Sequence, residues 1–130
     1  MKKRTRFGLL SCEGQILFIN FTPDMELNNQ DIKELNDIAV HDFKLEKYAM
    51  VVDIRGNAYT TPESRKFSAD NPYVKNHIAY GIVVSSIAEK LRVNFFIDFN
   101  RPKVPTRMFT DMDECIQWLN EKITESLSNP

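Results

Sequence analysis

An acid that closes an apolar run and three hydroxyls at the next helix start are the residues here best placed for chemistry. Asp53 ends the run Tyr-Ala-Met-Val-Val-Asp at residues 48–53, and Thr60, Thr61 and Ser64 follow a short polar turn. Open α/β sheets place their sites at the carboxyl ends of their strands. The unpaired N–H groups and dipole of a helix start also favour a phosphate. Asp53, Thr60, Thr61 and Ser64 therefore fit a phosphoacceptor or partner-binding loop. They also fit plainer work: the threonines as helix caps, and Asp53 as an acceptor of backbone N–H groups or a partner of Arg55 or Arg65. No nucleophile is spaced beside a general base, so no catalytic residue is assigned and the chain does not read as an enzyme. His41 and His77 lie in different elements, each without a second His or Cys at ligand spacing. No metal or other cofactor is expected, and both histidines read as surface residues.

A second group is aromatic. Phe95, Phe96 and Phe99, with Ile97, extend around more than one side of a helix. Three outcomes fit: a surface between molecules, most simply a homodimer; the lining of an apolar ligand cavity; or a helix end enclosed by its own chain.

The bulk composition narrows the classes. With 130 residues the chain is one domain, residues 1–130, able to bury a core without disulfides or metal. Seventeen Lys and Arg against 18 Asp and Glu leave no global field that would draw nucleic acid. Arg65, Lys66, Arg101, Lys103 and Arg107 make at most a small basic patch. The basic start, Met1 to Arg6, leads into a strand pattern rather than a long apolar segment, so neither a signal peptide nor a membrane span is expected. Cys12 and Cys115 sit in separate apolar-patterned elements and read as free thiols of a cytoplasmic protein.

These residues must be positioned by strands alternating with helices. Residues 7–12 and 15–21 form an antiparallel hairpin, with Gly14 supplying the positive φ of its turn. Ile32, Leu35, Ile38 and Ala39 recur at helical period from an Asn cap at 28 or 29 to about His41. A strand at 48–55 precedes a helix from Thr60 or Thr61 to Ala69, with Pro62 in its first turn and Thr60–Glu63 at capping-box spacing. Residues 78–84 are a strand buried on both faces. Ser86 and Glu89 repeat the capping-box spacing and open a helix that continues to about Phe99, although residues 93–99 also fit a strand. A short strand at 106–109 precedes a helix carrying Cys115, Ile116, Leu119 and Ile123, with residues 126–130 frayed. The sum is a mixed α/β sheet of about five strands, antiparallel at its N-terminal hairpin and parallel in the centre, with about four helices.

This order, together with Val-Val-Asp-Ile-Arg at 51–55, Pro-Glu-Ser-Arg-Lys-Phe at 62–67 and Ala-Tyr-Gly-Ile-Val-Val-Ser at 79–85, resembles the SpoIIAA-like or STAS-like superfamily. Asn-Phe-Phe at 94–96, Pro-Thr-Arg-Met-Phe-Thr-Asp at 105–111 and Trp-Leu at 118–119 bring it nearest a bacterial group of uncharacterised STAS/SEC14-type small domains. The resemblance implies a SpoIIAA-like fold and regulation rather than turnover. Its anti-sigma antagonists carry an Asp-Ser-Ser-Gly-like phosphorylation turn, whereas residues 57–64 here read Asn-Ala-Tyr-Thr-Thr-Pro-Glu-Ser, and no residue matches that motif. Two readings follow. The first is a non-catalytic regulatory module that binds a protein through the second helix and its preceding loop. The second is a carrier of a small apolar ligand or lipid between sheet and helices.

Overall fold

The fold is taken from a computed structural model that describes residues 1–128. Its elements are β1 (Lys2–Thr5), β2 (Gly8–Glu13), β3 (Ile16–Phe21), β4 (Glu26–Leu27), α1 (Asn29–Asp37), β5 (Tyr48–Asp53), β6 (Tyr59–Thr60), α2 (Pro62–Ala69), β7 (His77–Val83), α3 (Ile87–Phe95), β8 (Thr106–Phe109) and α4 (Met112–Ser128). Six strands form one sheet in the order β1-β2-β3-β5-β7-β8, and β4 pairs with β6 in a separate two-stranded ribbon. Pairing is antiparallel across β1, β2 and β3 and parallel from β3 to β8. This is the expected mixed sheet, extended by β1, which residues 7–21 did not announce.

The parallel strands alternate between the two faces, with one irregularity in the β5–β7 register between Tyr48 and Met50. Ile16 and Phe18 of β3, Ala49 and Val51 of β5, and Ala79 and Val83 of β7 point towards α4, where Cys115, Leu119 and Ile123 meet them. Leu17, Ile19, Tyr48, Met50 and Tyr80 point the other way, against Ile32, Leu35 and Ile38 of the α1 region. Gly81 marks the tightest approach of α4: a Cβ there would lie 2.4 Å from Cys115 Sγ. Gly14 takes φ +57° in the two-residue link between β2 and β3, a conformation that costs other residues energy.

Capping chemistry sets the helix starts. Asn28 Oδ1 accepts from Asp31 N while the Asp31 carboxylate accepts from Asn28 N, a full capping box. On α2 the cap is Thr61, whose hydroxyl accepts from Ser64 N; Thr60, one residue earlier, belongs to β6. Residues 93–99 are helical: α3 runs into a π-helical turn, Phe96–Asn100, that ends where Arg101 adopts φ +49°. Residues 126–128 continue α4 rather than fraying, and residues 129–130 lie outside the described part.

Candidate functional site

The residues singled out in sequence fall on two faces of the sheet. Asp53 shares the alternation of Ala49 and Val51 and so lies on the α4 side. Its carboxylate, buried at the end of β5, accepts Arg55 N at 3.1 Å, Arg55 Nε at 2.9 Å and Arg55 Nη2 at 2.8 Å, with Asn20 Nδ2 at 3.4 Å. The hydrogen bonds and charge of Asp53 raise the Arg55 guanidinium further above its usual pKa. Such a closed, bidentate pair leaves few acceptor positions.

Thr60, Thr61 and Ser64 lie with α2 on the opposite face. Thr61 Oγ1 donates to Ser64 Oγ at 3.0 Å, and Ser64 Oγ donates to Asn29 Oδ1 at 2.9 Å, pinning α2 to α1. Ser64 is buried, whereas Thr60 and Thr61 are half-buried. The structure therefore brings the three hydroxyl residues together and leaves Asp53 apart from them.

What does lie beside Thr60 is a cavity of about 150 Å³ between the sheet and the three helices α1, α2 and α3. Ile19, Met50, Val52 and Ile82 form its floor; Ile32 and Leu35 of α1 and Val93 of α3 form its walls; Phe96 joins them. α2 does little to fill it: the residues it turns to the space are Arg65 and Ser68, while its Phe67 packs elsewhere on the same core. Phe95 and Phe99 point outwards, stacked at 4.9 Å between centroids. The aromatic group thus divides, Phe96 lining a cavity and its two neighbours forming an exposed surface.

Polar groups edge this apolar space. At one end, His77 is buried, not on the surface as its spacing suggested, because α1 offers it a partner. His77 Nε2 lies 2.7 Å from Asn36 Oδ1, which also accepts from Tyr48 O–H at 2.6 Å, and His77 Nδ1 meets the Tyr80 hydroxyl. Asn36 Oδ1 can only accept, so Nε2 carries the proton and Nδ1 accepts from Tyr80. Burial, reinforced by Lys47, lowers the His77 pKa to about 4 and keeps the ring neutral. Burial likewise pushes both tyrosine hydroxyls up. His41 is exposed.

At the other end, Arg65 and Arg92 reach the cavity mouth from α2 and α3. Glu89, one turn before Arg92, does more than the half of a capping box that its spacing suggests. Ser86 caps α3, and the buried Glu89 carboxylate also accepts Ser85 N at 2.8 Å and Asn57 N at 3.1 Å. Burial is the largest influence on this carboxyl and pushes it up, yet the N–H donors of Ser85, Asn57 and Ser86 together outweigh it and hold the pKa below its ordinary value. Glu89 thereby ties the loop after β5 to the loop after β7.

Among the described residues no group of three or more His, Cys, Asp or Glu could hold a metal ion, and no helix is long and apolar enough to cross a membrane. Cys12 and Cys115 are free thiols, and burial, with a smaller contribution from Asp53, pushes Cys115 up to about 12.

An antiparallel N-terminal hairpin, a parallel sheet and a final helix packed on one face define a SpoIIAA-like α/β domain. A crystal structure of an uncharacterised protein of the DUF3478 family with a SpoIIAA-like fold, from Shewanella loihica PV-4, superposes with a TM-score of 0.54 at 13% identity, covering 92% of this chain and 90% of that one. The chain belongs to the family described as a domain of unknown function, DUF7793, whose model matches residues 10–123. No curated protein matches the sequence.

Proposed function

We propose that the domain is a non-catalytic binding module of STAS-like type whose ligand is a small apolar molecule held between the sheet and α1, α2 and α3. One observation carries this reading: an apolar cavity of about 150 Å³ in a domain whose other face is tightly filled. A protein cavity of about that volume, lined by aliphatic and aromatic side chains, stays dry and takes a benzene-sized guest. Native and denaturing mass spectra of the protein from its own cells test it. A passenger seen only in the native spectrum, and lost in Val93→Trp, is expected. Bare protein that also fails to take up benzyl alcohol would sink the proposal.

A second, compatible reading as an interaction module has its own support. Ile87, Leu91, Phe95 and Phe99 are 76%, 65%, 46% and 70% exposed. Every fourth residue on α3 and its final turn is thus a large apolar side chain facing outwards, the ridge that helices use to pack on one another. The stripe is self-complementary: in an antiparallel pair, Ile87 meets Phe99 of a second copy and Leu91 meets its Phe95. This makes a homodimer the simplest partner and moves the interaction surface from α2 to α3. Leu91→Lys should halve the mass measured by sedimentation; a wild-type chain that is monomeric at high micromolar concentration would remove this reading.

A further inference from the structure

Two cations at the mouth of an apolar cavity lack the anions that would ordinarily accompany them. Neither Arg65 nor Arg92 forms an ion pair among the described residues, although six such pairs occur elsewhere. Both are instead hung on one short segment. Arg65 Nη1 donates to Thr60 O at 3.4 Å, while Arg92 Nη1 donates to Ala58 O at 3.5 Å and its Nη2 to Asn57 Oδ1. Glu89, the nearest acid along α3, is committed to the N–H groups of Ser85 and Asn57. The far side of Arg65 rests on the Phe95 ring, 5.1 Å from its centroid, which orients the guanidinium without neutralising it.

Arg65 Nε adds an independent sign. It is buried and has no hydrogen-bond partner among the described residues. A buried donor left unpaired is costly, and a guanidinium donor more so. A ligand that completes such a donor is one way in which it is tolerated.

We infer that the molecule held in the cavity is a small carboxylic acid in its anionic form. Its ring or short chain occupies the apolar space, and its carboxylate lies at the mouth against Arg65 and Arg92. The inference rests on the apolar-ligand reading above and adds the charge. A carboxylate suits these donors: two guanidinium groups without an anion of their own line the same space, and each can bind planar oxygens. The cavity volume restricts the apolar part to about the size of a benzene ring.

Benzoate and benzyl alcohol separate the charge from the cavity. They share a ring and differ in the anion, and titration of each can be followed by amide chemical shifts of Val93, Ile82 and Arg92. Both should shift the same cavity residues, with benzoate bound at least about tenfold more tightly at low salt, the scale of a charge-assisted hydrogen bond. That preference should shrink as salt is added, since the cavity mouth is partly exposed. In the double variant Arg65→Gln/Arg92→Gln the two affinities should converge, and Val93→Trp should abolish both. Equal binding of the two probes by the wild type overturns the anion inference and leaves the apolar-ligand reading standing. Binding of neither probe overturns both. A double variant that still prefers benzoate overturns the assignment to these arginines, its retained cavity shifts showing that it is folded.

Discussion

The two faces of the sheet are built from the same strands and end in different states of packing. On the α4 face one 17-residue helix lies so close that a glycine, Gly81, is needed beneath Cys115 and Leu119. On the opposite face three shorter helices share the work, and the polar residues that α2 turns inwards leave a cavity with a buried histidine network at one end and unpaired arginines at its mouth. The difference teaches that a single long helix can be fitted residue by residue to a sheet, whereas a junction of short ones leaves space that function can use. Filled apolar volume on one side supplies the stability that an incompletely filled side forgoes.

The comparison can be broken most forcefully at Leu119. It is fully buried against Val83 and Ala79, so Leu119→Ala should cost about 2–5 kcal/mol in urea unfolding. A loss below 1 kcal/mol would mean that the α4 face is no better packed than the other.

Next in size is a pH effect confined to the cavity face. Above the ordinary histidine pKa, His77 is neutral whether folded or not, and its contribution is complete. As pH falls from about 6.5 to about 4, the unfolded chain takes a proton that the folded ring refuses, so stability declines by about 3 kcal/mol in all and then levels. The difference in stability between pH 7.5 and pH 4 should therefore be smaller in His77→Gln than in the wild type. An identical decline in both would show that the buried network is not what titrates.

Two substitutions that add a little bulk sharpen the contrast through opposite signs. Gly81→Ala places its methyl against Cys115 Sγ and should destabilise by about 1–3 kcal/mol. Val93→Leu adds one methylene beside the cavity and should be neutral or stabilise by up to about 1 kcal/mol. Thermal melts of the pair suffice; two losses of similar size would mean that the cavity does not accept side-chain volume.

Much of the fold was legible because local rules agreed with one another. Residues 48–53 alternate between two buried faces and so read as a continuous apolar run, and Asn28, Thr61 and Ser86 sit where cap chemistry requires them. β1 was not legible, since Lys2, Lys3 and Arg4 are exposed and carry no apolar signal. The site was less legible still. His77 is buried by Asn36, 41 residues earlier, and no spacing rule connects them. Thr60, Thr61 and Ser64 are neighbours at the start of α2, whereas strand parity puts Asp53 on the α4 side and Val52 and Ile54 on the cavity side. The cavity itself follows from α2 turning Arg65 and Ser68, not Phe67, to this space, a choice that has no signature in sequence. Glu89 showed the correct type and position for a cap, and only the geometry reveals that it spends its oxygens on two loops.

The strand that sequence patterning missed has a consequence for the molecule in crowded solution. An open sheet ends in two rows of unpaired backbone groups, either of which can template a strand from another chain. Here one row is β1, bearing Lys2, Lys3 and Arg4, so a second copy approaching in register meets like charge. The other row is β8, four residues long, carrying exposed Arg107 and entered directly from Pro105. Both borders resist growth of the sheet, and ordered aggregation through edge-to-edge pairing is discouraged by the same residues that concealed the first strand.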